Sequence, residues 1–270
     1  VEARLDWAPV NARAALGPPP PGPAWLAPER PRWVPSLSLS VAAAAEQTGS
    51  DHAFARAVLE GSATRLAGAR VQVGARVRLG VLAAGDQPLP PQLRLFGGGP
   101  GGVRGVPANL LGPRILIARD TSAICYDPDL CALLGPRDVY LRAAGGDLLA
   151  EASVEARIWA TRGIQFAAFV DAGAVHARGG LENSPLGSRT ESIVTPGVGV
   201  LALTPAGPLR VDVAYDPSPA RRYPLLARRE DGGYRLVGNA LYDRVGYDGA
   251  DPWTRFRRRL QLQLSMGAPF

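Results

Sequence analysis

The chain contains no lysine: all 30 of its basic residues are arginine. It also has only one methionine, two cysteines and two histidines in 270 residues. Each scarcity removes a class of chemistry. His52 and His176 are remote in sequence and no G-x-S-x-G motif occurs, so there is no basis for a nucleophilic triad or a histidine-rich metal site. Cys125 and Cys131 cannot supply four zinc ligands. They leave a local disulfide or two free thiols, the disulfide in an oxidising compartment being favoured. Asp127, Asp129, Asp248 and Asp251 fall in predicted loops and read as solvated carboxylates. No enzyme activity, cofactor or metal is expected. Missing too is any apolar run near the ~18 residues of a membrane helix, which leaves a strand-built membrane protein open. The net charge of +6 and pI of 9.9 could suit nucleic acid. However, the arginines are spread over predicted strands and loops, without a basic helix or an aromatic-interleaved patch, so nucleic acid is not an expected partner.

What the chain does have is punctuation and alternation. Its 32 glycines and 26 prolines cut it into short segments, which favours an all-β reading. At the end, Leu260, Leu262, Leu264, Met266, Ala268 and Phe270 share one face of a predicted strand over 255–270. Arg259, Gln261, Gln263 and Ser265 share the other, because successive strand residues point to opposite sides. A soluble sandwich would cover the apolar face with a second sheet. An outer-membrane barrel turns it to lipid and keeps the polar face in its lumen, and a terminal Phe270 suits the aromatic belt of such a barrel.

Similar segments recur at 2–8, 36–45, 53–66, 70–82, 147–160, 164–175, 193–203 and 209–215. From residue 36 onward short and long connections alternate, as in barrels with short periplasmic turns and longer outer loops. The Pro-rich stretch 16–35 reads as a linker or loop, and residues 83–145 as one long outer loop. The count is eight strands, or nine with segment 2–8. Eight strands can close, but their own side chains fill so small a barrel and leave no room for a loop of that length. The expectation is one antiparallel transmembrane β-barrel domain spanning 1–270, the C-terminal portion of a barrel of about sixteen strands.

Residues 96–105 contain a formal G-x-G-x-x-G at Gly97, Gly99 and Gly102. Pro100 opposes the helix start that a dinucleotide site needs and no βαβ pattern surrounds it, so a flexible surface loop is the plainer reading. A further reading comes from motif order. Val103-Arg104-Gly105 follows the glycine run. Gly145-Gly146 precedes a strand with Glu155 and Arg157, and Phe169-Val170-Asp171-Ala172-Gly173 comes next. Pro196-Gly197-Val198-Gly199-Val200 leads to Thr204-Pro205-Ala206-Gly207-Pro208-Leu209-Arg210-Val211-Asp212. This ordered set, over about residues 93–270, resembles the BamA/TamA family, the bacterial surface antigen family.

That resemblance implies a bacterial outer-membrane protein that inserts or translocates other proteins. It implies lipid and unfolded clients as partners, possible accessory periplasmic subunits, and no nucleotide or metal. It also implies that the Val103-Arg104-Gly105 loop folds back into the barrel, so that Arg104 meets Asp171 in a lumen latch with Phe169 and Gly173. The alternative is that Asp171 pairs with Arg157 on the neighbouring strand. Val106 stands where the family usually has an aromatic, which lowers the packing expected of the loop tip. The terminal strand, with Leu260, Leu262, Leu264, Met266 and Phe270, would form one side of a seam. The rival readings are an outer-membrane pore or transport barrel without assembly activity, and a soluble β-sandwich used in binding.

Overall fold

Strand β7 (Leu148–Trp159) alternates strictly between exposed and buried residues, and β8 (Ile164–Ala177) between buried residues and exposed or half-buried ones. On β8 the exposed set begins Ile164, Phe166, Ala168, Val170, and the buried set includes Gln165, Phe169, Asp171 and Gly173. The distribution is inverted relative to a soluble sheet: valine, isoleucine and phenylalanine lie outside, while Glu151, Glu155, Arg157, Gln165 and Asp171 lie inside. The same inversion continues through the outward residues Val77, Leu79, Val154, Ile158, Val194, Val198, Val200, Leu262 and Leu264. Charged residues do not collect on the enclosed face of a water-soluble sheet, whereas a barrel wall in lipid requires this arrangement.

The structure, a computed structural model, describes residues 2–8, 33–45, 47, 49–67, 70–84, 89–119, 134, 136–178, 188–205, 207–229, 231–244 and 251–266. The remaining wall strands are β1 (Glu2–Trp7), β2 (Val34–Ala44), β3 (Phe54–Ala67), β4 (Val71–Ala84), β9 (Arg189–Thr204), β10 (Gly207–Tyr215) and β13 (Leu260–Met266). With β7 and β8 they form one nine-stranded sheet in the order β1-β2-β3-β4-β7-β8-β9-β10-β13. Every neighbouring pair is antiparallel. Among the described residues the sheet is open, with β1 and β13 at its edges. The nine wall strands are those read from the alternation, segment 2–8 included.

Several expectations are corrected. Residues 83–145 are not one loop. They contain β5 (Arg114–Ala118) and β6 (Val139–Ala143), which pair antiparallel. Residues 216–253 likewise contain the hairpin β11 (Arg221–Arg228) and β12 (Tyr234–Tyr242). β11 lies parallel to β5, so two excursions far apart in sequence build a second sheet, β12-β11-β5-β6. Neither excursion shows a barrel-length alternation, and a pairing between distant short segments leaves no local signature. Finally, the last strand starts at Leu260 rather than 255. Pro252–Arg258 form a short helix, α1, whose first turn is capped by Asp251 accepting from the amides of Trp253 and Thr254. Proline at the first helical position suits that start. α1 is a basic helix with interleaved aromatics, contrary to the expectation that the chain has none. The Pro-rich stretch also ends sooner than 35, since Val34 and Pro35 already pair within β2.

Both excursions leave and rejoin the wall at its long-loop end, so the small sheet forms a cap there. Its core is Leu116, Val139, Tyr223, Leu225, Ala240 and Tyr242. Several bonds tie the cap to the wall, among them one from Arg221 to the Ser192 carbonyl of β9, one from Arg244 to Gln261 of β13 and one through Tyr223. The Tyr223 hydroxyl donates to Glu191 of β9 at 3.0 Å, and Arg189 lies over the Tyr223 ring at 4.8 Å. Burial, with Glu191 adding to it against nearby Arg114, pushes the Tyr223 hydroxyl up to about 12. The ordinary value is about 10, so the folded cap favours the neutral phenol. Its contribution to cap stability is complete below about pH 10 and is lost as the pH rises towards about 12. In a tyrosinate absorbance titration one phenol should ionise about two pH units late, and Tyr223→Phe should remove that step. A Tyr223→Phe protein with an unchanged titration would contradict the tether.

Candidate functional site

Between β4 and β7 the chain crosses the inner face of the wall before it builds the cap. Leu95 bridges Gly146 and Gly97 bridges Leu111, which pins both limbs of the crossing. The tip between them is a tight fold. Gly98 and Gly99 have φ of +90 and +92, a region that side chains with a Cβ rarely adopt. The Gly99 amide donates to the carbonyls of Val103 (3.2 Å) and Val106 (3.0 Å), and Val106 N–H donates to Val103 O at 3.1 Å. This fold drives residues 103–106 inward. Val103 and Val106 pack in one apolar cluster with Leu95, Leu111, Leu149 and Val175. The glycine run is therefore packed against the wall, with Gly97, Gly99 and Gly102 buried, rather than being a surface loop. Nor is the tip loosely packed for want of an aromatic, because Val106 is itself fully buried.

Arg104 projects from this tip into the wall and is 1% exposed. Its Nε and Nη2 donate to the two Asp171 oxygens, each at 2.7 Å, and its backbone amide adds a third bond to Asp171 Oδ2 at 2.9 Å. Nη1 donates to Glu155 Oε2, and Nη2 also reaches Ser153 Oγ at 3.0 Å. The guanidinium lies 3.3 Å from the centroid of the Phe169 ring. A planar fork with five donors can satisfy two carboxylates and stack at once, which a lysine ammonium could not do.

The network draws its wall groups from three strands, β7, β8 and β10. Arg210 of β10 donates to both Glu155 oxygens (2.8 and 2.7 Å) and to Asp212 at 2.7 Å. Arg157 donates its Nε–H to Glu155 Oε1. The cluster is thus three arginines against Glu155, Asp171 and Asp212, all nearly out of contact with solvent and balanced in charge. Of the two partners left open for Asp171, the structure brings Arg104 to it, while Arg157 turns to Glu155.

Glycines allow the approach. A Cβ on Gly173 would sit 2.6 Å from both Val103 and Leu111, and one on Gly105 would overlap Thr195. From the far side Gln263 of β13 donates to the carbonyls of Arg104 (2.6 Å) and Val106 (3.0 Å). Leu262, Leu264 and Met266 face outward on that edge strand, with Leu260 half buried at its start. Phe270, Cys125 and Cys131 lie outside the described residues. The sequence reading did not assign Ser153, Arg210, Asp212 or Gln263 to the site. Strand parity could have found them: each is polar and on the inward face of its strand.

A wall that is apolar outside and charged inside, carrying an arginine loop bonded to its inner face, defines a membrane β-barrel with an internal loop. The Omp85 superfamily domain model matches residues 33–223, and the chain belongs to that superfamily. This bears out the resemblance to BamA/TamA-type barrels. Among curated proteins nothing matches. Among solved structures the chain is similar to the crystal structure of BamA from Haemophilus ducreyi lacking POTRA domains 1–3. The TM-score is 0.51 at 19% identity, over 72% of this chain and 37% of that one. The chain therefore spans little more than a third of the length of that crystallised chain.

Breaking a buried ion pair by removing one partner costs ~3–5 kcal/mol, because the other charge is left unpaired. Arg104→Ala and Asp171→Ala should each release the loop to limited proteolysis, and the double variant should be no worse than either. Fully additive defects would argue against a direct pair. Gly105→Ala should release the loop too, with Thr195→Gly partly restoring protection.

Proposed function

We propose that this protein inserts or translocates other proteins at the bacterial outer membrane. The observation that carries the reading is the bond from Gln263 to the Arg104 loop. It ties an open sheet edge to the loop latched inside the wall. β13 has seven residues and pairs only with β10 among the described strands. An edge of this kind presents unpaired backbone donors and acceptors, which an incoming strand can satisfy. Clients are therefore unfolded outer-membrane or secreted chains, received from the periplasm with or without accessory subunits. Residues 95–111, the part of 83–145 that crosses the inner face, act as the lid, and the Arg104–Asp171 latch holds it while the edge changes partners.

A pore without assembly activity would use the same wall, with the latch as its plug. The coupling of the latch to an edge strand favours assembly, since a plug has no need of the seam. The two readings separate experimentally. A photo-crosslinking residue placed at Leu262 on the seam of the native protein should capture nascent outer-membrane clients, and one at Val198 in mid-sheet should not. Gln263→Ala should cut seam capture about tenfold, the effect of losing about 1.4 kcal/mol of coupling. Equal capture at both positions, or none, together with ion conductance that rises in Arg104→Ala, would favour the pore instead.

A further inference from the structure

α1 contributes no group to the Arg104 network. It lies between the cap and β13, and its exposed side chains are unusual for a surface helix. Trp253 is 65% exposed and Phe256 is 43% exposed. They are not scattered. Trp253 stacks on Phe256 at 5.7 Å, and Phe256 stacks on Tyr215 at 5.5 Å. The three rings thus form one continuous row. Tyr215 pairs with Leu260, at the outer end of the column in which Val213 faces Leu262 and Val211 faces Leu264. The row therefore prolongs the lipid-facing surface of β10 and β13 beyond the strand ends. Arginines stand beside it. Arg255 and Arg257 are exposed, and no carboxylate among the described residues pairs with either. Asp251, the one nearby acid on the helix, is committed to its first turn.

We infer that α1 is an interfacial anchor for the phosphorylated lipid of the outer leaflet, seated on the seam strand. Two physical requirements converge on this occupant. Aromatic rings with a wet side and an apolar side partition to the headgroup level of a bilayer. Arginine beside them meets phosphate with a matched pair of donors. A purely aqueous surface would leave the three-ring row exposed at a cost. A protein partner is not needed to cover it, because the row is continuous with a face already turned to lipid. The anchor holds the outer end of β13 at a fixed depth while the strand's remaining edge stays free to exchange partners. The inference rests on the reading of the wall as lipid-embedded.

The test uses the native full-length protein in phosphatidylcholine vesicles, with and without bis-phosphorylated lipid A. Trp253 emission is isolated as the difference between the parent and Trp253→Phe, and Trp7 emission as the difference from Trp7→Phe. Trp7 pairs with Leu37 on β2, so it reports whether the wall itself is in lipid. Phosphatidylcholine brominated near the glycerol end should quench both differences. Retention of lipid A in native mass spectrometry should fall by on the order of tenfold to thirtyfold in Arg255→Gln/Arg257→Gln, given the attraction of each arginine to an anionic leaflet. Retention should hold in Arg228→Gln/Arg229→Gln at the cap hairpin. If Trp7 is quenched but Trp253 is not, or if both double variants retain lipid A like the parent, the anchor is overturned and the barrel stands. If neither tryptophan is quenched, the lipid-embedded wall fails and the anchor with it.

Discussion

The buried ion network around Arg104 is the constraint on which the inner half of this structure depends. A guanidinium taken fully out of water is tolerable only when its donors are matched to acceptors. Here they are matched from separate directions, by Asp171 on β8 and by Glu155 and Ser153 on β7. Glu155 is shared with Arg210 and Arg157, so no one of these side chains can move without leaving another charge unpaired. Withdrawing the loop would leave Glu155 and Asp171 short of a cation in a buried site, so the docked arrangement is held by every member of the network.

The same electrostatics explain why the wall is inside out. Charged residues accumulate on the inner face because that face has partners, and branched apolar residues on the outer face because lipid does not compete for hydrogen bonds. The register of the strands preserves this separation over nine neighbours, since a one-residue slip would turn every arginine and carboxylate towards the bilayer. The cap follows a different rule. It is a small two-faced sheet with its own apolar core, docked through Tyr223 and Glu191.

The edge at β13 joins these themes. Its outward residues continue the lipid face, its inward Gln263 touches the latched loop, and α1 closes its outer end with stacked aromatics. Three environments, bilayer, lumen and interface, thus meet along a single seven-residue strand. Membership of the Omp85 superfamily places this arrangement among barrels of one architecture. It also makes the seam the natural place to look for what distinguishes this chain.

Much of this was legible in the residues alone. Alternation located all nine wall strands and their two faces, because a strand's period of two is written locally. The pairing of a lumen carboxylate with an arginine was also foreseeable in kind, since Asp171 on an enclosed face must find a cation. What alternation could not reveal was the cap. β5 and β11 meet across more than a hundred residues, and parallel pairing of short segments carries no local code. Nor could it show that Glu155 is the shared centre, that Gln263 reaches the loop, or that α1 interrupts what looked like a longer terminal strand. Sequence determined which residues could face lipid and which could not. Only the tertiary structure decided which of several arginines met each carboxylate, because that choice depends on distances between strands that the chain order does not contain.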